Sequence, residues 1–206
     1  MTHLLRPAWL AVALTLPLSA AADAERGFAA LAYPSGGETL YCQTPFAAGD
    51  RISVERIYPE RALLQHFGCS NALACRQHAD YLAARDDPHQ MFPSERRMDL
   101  LRRDTLFGEL RQGERGECGV AAVFQTFDPP AHARGDVARA MLYMHTERGV
   151  PLVGPLEMYQ RWSLADPPDE AERIRHQRIA DATGRRNPYI DAPQRVQQVS
   201  LPGGLR

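Results

Sequence analysis

The chain has 206 residues, 44% of them hydrophobic and 24% charged, with a formal net charge of −1. That suits one good-sized domain of ordinary globular composition, and a charge so near zero argues neither for nor against a nucleic-acid partner. All 24 basic residues are arginine, whose planar fork fits phosphate oxygens, although a bias toward arginine codons is the better explanation.

Taken in chain order, residues 1–22 read as a secretory leader. "MTHLLRPAW" carries one arginine, "LAVALTLPL" is a short apolar run, and "SAAADA" offers small residues for cleavage between Ala20 and Ala24. The apolar run is too short to span a bilayer comfortably, and no other stretch reaches membrane length. Export to the periplasm or beyond is therefore expected, with no stable membrane association afterwards. An oxidising compartment makes disulfides the natural reading of the four cysteines. Cys69 and Cys75 enclose "SNALA" and suit a local staple, which leaves Cys42 and Cys118 to close a long loop. Four cysteines allow about three pairings, and the sequence does not choose among them. A zinc site is the rival, without the close pair of cysteines that zinc usually takes.

"GGETLYC" (36–42) predicts a strand after turn glycines, and "RISVERIYP" (51–59) a second, with Ile52 and Val54 alternating against Arg51 and Ser53. "RALLQHF" suggests a helical turn. Pro88 and Pro93 make 86–94 a loop, from which Ser94 would cap a helix beginning "ERRMDLLRRDTLF". Met98, Leu101 and Thr105 or Leu106 would form its buried face, with Asp99, Arg102 and Arg103 sharing another. A strand is expected over 118–130 and a helix over "RGDVARAMLYMHTER", with Val137, Ala140, Met141 and Met144 on its core stripe. A helix over "PLEMYQRWSLA" follows, then one started by Asp166 with Pro167 and Pro168 and ended at Gly184. "RRNPYIDAP" reads as extended, and 194–206 as a loosely ordered tail. Without repeats or a linker, one α+β domain over 23–193 is the simplest assignment.

Several ordered motifs carry a resemblance. "ARGDVARAMLYM", Trp162, "DPPDEAER" and "RRNPYIDAP" follow "TLYC", "ERIYP" and "HQMFPS" at consistent spacing. Together they resemble the bacterial endonuclease I family of periplasmic and secreted DNases, over roughly residues 36–193. The resemblance implies a disulfide-stabilised α+β fold with a ββα-metal (His-Me finger) core and additional helices. It implies cleavage of DNA, and often of RNA, with little sequence preference, using magnesium or another divalent cation; a monomer is expected.

Matched residue by residue, the resemblance places Glu55 and Asp99 as metal ligands, Arg102 as the arginine three residues on, and His89 in the loop before the helix. Arg56 falls where the family carries its general-base histidine. Arginine stays protonated and has no acceptor lone pair, so Arg56 cannot be that base. It could instead bind the scissile phosphate, and His66, His78 or His89 could supply an imidazole. The family's arginine two residues before the matched cysteine is here Leu73, for which Arg76 could substitute. Arg96, Arg97 and Arg103 suit backbone phosphates. Arg134, Asp136 and Arg139 are expected to form ion pairs at a helix start, and Tyr143 and Trp162 to fill the core. Two readings follow: a magnesium-dependent endonuclease with altered catalytic residues, or a catalytically degenerate relative that binds nucleic acid or a protein. A structural module without nucleic acid is more remote.

Overall fold

The computed structural model describes residues 20–103, 105–111 and 114–201, so most of the expected leader lies outside the described residues. The chain enters through a helix that the sequence did not suggest, α1 (Ala20–Ala32). Two short strands follow, β1 (Gly37–Glu38) and β2 (Pro45–Phe46), paired antiparallel. The strand expected over 36–42 is thus only two residues long, because Leu40, Tyr41 and Cys42 turn the chain. Next come β3 (Ser53–Arg56), α2 (Glu60–His66) and α3 (Ala79–Arg85).

The stretch expected as a loop is the second half of a strand pair. Asp87 caps a 3-10 turn over Pro88–Gln90 by accepting the His89 N–H at 2.9 Å, and β4 (Met91–Ser94) leaves it directly. β4 runs antiparallel to β3 in the register Ser53↔Ser94, Val54↔Pro93, Glu55↔Phe92 and Arg56↔Met91. Pro93 is tolerated because the sheet has only these two strands. Its carbonyl still accepts the Leu40 N–H at 2.8 Å.

Helix α4 (Arg96–Arg102) then packs on β3. It is shorter than expected, and Ser94 does not cap it: Glu95 takes that position, and Arg103 ends the helix at φ 37°. Its buried side chains are Met98 and Arg102, whereas Leu101 and Leu106 are 46% exposed.

The strand expected over 118–130 is a 3-10 turn followed by a hairpin, β6 (Ala121–Val123) and β7 (Thr126–Asp128), preceded by β5 (Leu106–Phe107). β5 pairs parallel with β7, giving the order β5-β7-β6. Two disulfides, Cys42–Cys118 and Cys69–Cys75, tie this half together.

The helical half agrees better with its sequence. α5 (Arg134–Arg148) is the central helix and is buried nearly all round, including Val137, Ala140, Met141, Met144 and Tyr143. α6 (Leu156–Ala165) crosses it closely: a Cβ on Gly135 would lie 1.9 Å from the Asp166 carbonyl oxygen, so only glycine fits there. α7 (Glu170–Thr183) ends at Gly184 in the left-handed conformation, as expected. Asp169, not Asp166, caps it by accepting the Glu172 N–H at 2.7 Å. The segment expected to be extended contains α8 (Pro188–Asp191), capped by Asn187. The stretch after Pro193, expected to be loose, begins as a 3-10 helix through Gln198 that buries Val196.

The main core runs from Tyr41, Ile57 and Phe92 through Phe107 and Phe127 to α5 and Trp162. A smaller cluster joins Phe28 and Ala32 of α1 to Val54, Met91 and Ile179. The β3–β4 pair is therefore covered on both faces, by α4 and the main core on one and by α1 and α7 on the other.

Candidate active site

Successive side chains of a strand point to opposite faces. On β3, Ser53 and Glu55 face α4, and α4 returns two charged groups to them. Asp99 Oδ2 accepts a hydrogen bond from Ser53 Oγ at 3.1 Å. Arg102 Nε lies 3.6 Å from Glu55 Oε1. Glu55 is 2% exposed and Arg102 is fully buried. Arg102 is anchored by donating to the Ile57 carbonyl at 2.5 Å and to the Arg103 carbonyl, and its guanidinium lies 4.3 Å over the Phe107 ring.

The electrostatics of this face are unsettled. Burial pushes the Glu55 carboxyl up to about 8; Arg102 pulls it down, and Asp99 raises it again. Asp99 is also raised, first by burial and then by Glu25, against the hydrogen bond from Ser53. Tyr41, whose buried hydroxyl has no hydrogen bond, is held well above its ordinary value by burial and by Glu55. Two neighbouring carboxylates that both resist ionisation are a place where a hard cation would be welcome.

Arg56 points the other way. Its Nη1 donates to Glu25 of α1 and its Nη2 to Asp86 at the end of α3, both at 2.9 Å. Burial alone would lower its pKa, and these two hydrogen bonds more than reverse that. It still contributes to the field at Glu55 and Asp99.

His89 is not brought to this cluster. It is 1% exposed, and its Nε2 faces the Arg185 carbonyl at 3.1 Å. Its ring lies against Tyr143 and His176, at centroid distances of 4.7 and 5.4 Å. Burial lowers its pKa to about 3, and the charges it feels, Arg175, His176 and Arg185, are not those felt by Glu55. His89 is a neutral packing histidine between the 3-10 turn and the helical half. His78 caps α3 by accepting the Tyr81 N–H, and His66 packs edge-on against Phe67.

Arg76, Arg96, Arg97 and Arg103 are all exposed. Arg97 pairs with Glu117 across to the turn that holds Cys118. Arg76 follows the Cys69–Cys75 loop, whose Leu73 is 68% exposed. Among the described residues no cluster of three or more His, Cys, Asp or Glu is arranged to hold a metal, and the expected ligands Glu55 and Asp99 number two. Sequence reasoning missed Ser53, Glu25 and Asp86. Only Ser53 had a usable signal, since it lies two residues before Glu55 on the same strand face.

A strand pair followed by a helix, with carboxylates on the shared face, is an arrangement suited to phosphodiester chemistry on a hard cation. The endonuclease I family model matches residues 30–151 and 153–194, and the chain belongs to that family. An extracellular deoxyribonuclease of Aeromonas hydrophila is 28% identical over 123 residues, covering 57% of this chain and 54% of that protein. A periplasmic deoxyribonuclease of the same organism is 28% identical over 123 residues, covering 57% and 52%. A further Aeromonas hydrophila extracellular deoxyribonuclease is 27% identical over 151 residues, covering 69% and 66%. The chain thus spans about half the length of the first two relatives. Among the described residues no helix is long and apolar enough to cross a membrane.

Proposed function

We propose that the protein is an exported, metal-dependent endonuclease that hydrolyses phosphodiester bonds of DNA from a ββα-metal core formed by β3, β4 and α4. The observation that carries this reading is the pair Glu55 and Asp99, set by a strand and the next helix on one face, each with a raised pKa. Family membership and the names of the Aeromonas relatives support the substrate.

The donor set fits magnesium, which takes one or two carboxylates and keeps several waters for itself. Bound there, a divalent cation would supply Lewis acidity toward the phosphoryl oxygens and the leaving alkoxide. Glu55 and Asp99 would hold it. Ser53 fixes which oxygen of Asp99 is engaged, and Arg102 approaches Glu55 to 3.6 Å without a hydrogen bond. Exposed Arg96, Arg97 and Arg103 on and beside α4, with Arg76 beyond, offer charge to backbone phosphates.

Arg56 favours a second reading. It lacks an acceptor for the proton of an attacking water, and losing a general base costs on the order of a hundred- to ten-thousandfold. With its guanidinium held by Glu25 and Asp86 on the far face, it is also poorly free to reach a phosphate. A non-catalytic relative that binds nucleic acid or a protein through the same scaffold fits that feature. Plasmid cleavage separates the two, measured with magnesium, with chelator, and for Glu55→Gln and Arg56→His. Cleavage by the native chain that chelator and Glu55→Gln abolish supports the enzyme. Cleavage that appears only after Arg56→His supports the degenerate relative.

A further inference from the structure

The β6–β7 hairpin carries the most exposed large apolar side chain among the described residues, Phe124, at 95%. Val123 and Thr126 pair across the hairpin, so Phe124 and Gln125 form its two-residue turn. Phe124 has φ 41°, whereas Gln125 does not take a positive φ. A two-residue hairpin turn of that pattern favours glycine at its first position, because any Cβ there crowds the backbone. Phe124 therefore bears two costs at once: a ring left almost wholly in water, and a left-handed backbone that glycine adopts without strain. Among the described residues it belongs to neither hydrophobic cluster, so the core repays neither cost. Strain held at an exposed position points to function.

The surroundings narrow the partner. Behind the tip, Leu106, Thr126 and Val123 form one row across the three strands, with Leu106 46% and Val123 53% exposed. The stretch "GVAAVFQTF" (119–127) contains no charged residue. The acidic residues flanking it are already engaged, Glu117 by Arg97 and Asp128 by Arg115 and Arg134. The tip thus offers a ring and no charge. It is also joined to the helix of the candidate site. The Gln125 carbonyl accepts the Leu106 N–H at 2.9 Å, and β5 leaves α4 by way of the exposed Arg103. Phe107, on the inner side of β5, lies under Arg102, the residue that approaches Glu55. An uncharged ring continuous with a surface of exposed arginines complements a nucleic acid, which alternates phosphates with flat bases. Aromatic side chains stack on bases whose faces are free, as they are in single strands. A second copy of the chain needs a broader apolar face than one ring backed by two aliphatic side chains.

We infer that Phe124 is a base-stacking residue that takes an unpaired base of single-stranded DNA, while the arginines of α4 take the phosphates. The inference rests on the nuclease reading for the identity of its ligand.

The test is fluorescence anisotropy of a labelled oligothymidylate, and of its duplex with oligoadenylate, titrated with the full exported chain in chelator so that no bond is cut. Phe124→Gly weakens single-strand binding by roughly five- to hundredfold and leaves duplex binding unchanged, and Phe124→Trp, which keeps a ring, binds as the native chain does. The glycine relieves the turn, so Tm rises by roughly 1–4 °C and the lost binding is not a loss of folding. Unchanged single-strand binding in Phe124→Gly, an equal loss on duplex, a lowered Tm, or no binding of the single strand by the native chain each overturn the inference. So does a dimer seen in sedimentation that Phe124→Gly dissolves, which assigns the tip to a second copy. Plasmid cleavage by the native chain together with unchanged binding in Phe124→Gly leaves the nuclease reading standing without this inference. Weakened binding in Phe124→Gly without any plasmid cleavage by the native chain does the reverse.

Discussion

Among the described residues two arginine–glutamate pairs are buried, and they are built differently. Arg139 on α5 grips Glu172 on α7 with two hydrogen bonds, Nε to Oε1 at 2.8 Å and Nη2 to Oε2 at 2.5 Å, while its Nη1 donates to the Asp166 carbonyl. Arg102 only approaches Glu55, through one nitrogen at 3.6 Å that makes no hydrogen bond. The first pair is closed and holds two helices together. The second is open: Glu55 keeps unmet capacity at the cost of a pKa near 8. Incomplete pairing separates Glu55 from Glu172, and under the proposed function it leaves Glu55 available to a cation.

The largest expected effect lies on the closed pair. Glu172→Ala strands Arg139 in the interior and should cost about 3–5 kcal/mol in urea unfolding. Glu55→Gln should leave stability within about 1 kcal/mol at pH 7, since Glu55 is largely protonated there. Equal losses for both would erase the distinction. Plasmid cleavage should respond in the opposite sense, with Glu55→Gln reducing it by roughly a hundredfold or more, about 2.7 kcal/mol in the barrier.

Acidity sharpens the same contrast. His89 has a folded pKa of about 3, below its unfolded value, so the unfolded chain takes up protons first as pH falls. Stability should drop by about 2 kcal/mol between pH 7 and pH 5 on its account. Glu55 works with the opposite sign: its folded pKa is raised, so its contribution is lost as pH rises from its unfolded value toward 8. Glu55→Gln should therefore make denaturation midpoints more acid-sensitive between pH 7 and pH 5, and unchanged pH profiles would refute both assignments. The smallest effect is expected at Ser53. Ser53→Ala should raise the magnesium concentration for half-maximal cleavage by roughly three- to tenfold, about the net worth of one ordinary hydrogen bond, with Ser53→Thr restoring it.

Much of this could be read from residues, and the failures share a cause. The helices of the second half are long enough for period and caps to show, as at Val137, Met141, Met144 and Gly184. Ordered motifs located Glu55 and Asp99. β4 stayed hidden because Pro88 and Pro93 bracket it, and its strand identity comes from β3, a partner distant in sequence. Arg102 was placed on a helix face with Asp99 and Arg103, and nothing local says that it will be buried and stack on Phe107. The partners of Arg56 are 31 and 30 residues away, beyond any local pattern. Asp166 and Asp169 both precede a helix, and only three-dimensional placement shows that Asp166 serves Gly135 instead.

The Cys42–Cys118 bridge divides the chain topologically. β3, β4 and α4, with Glu55, Arg56, Asp99 and Arg102, lie inside the covalent ring it closes, whereas α5 to α8 lie wholly outside. Closing a ring of 76 residues removes on the order of 4 kcal/mol of unfolded-state freedom, and that gain is delivered to the segment carrying the candidate chemistry. The ring closes only where thiols oxidise, so the segment carrying the candidate residues, and through their common core the helical half, depend on the redox state of the surroundings.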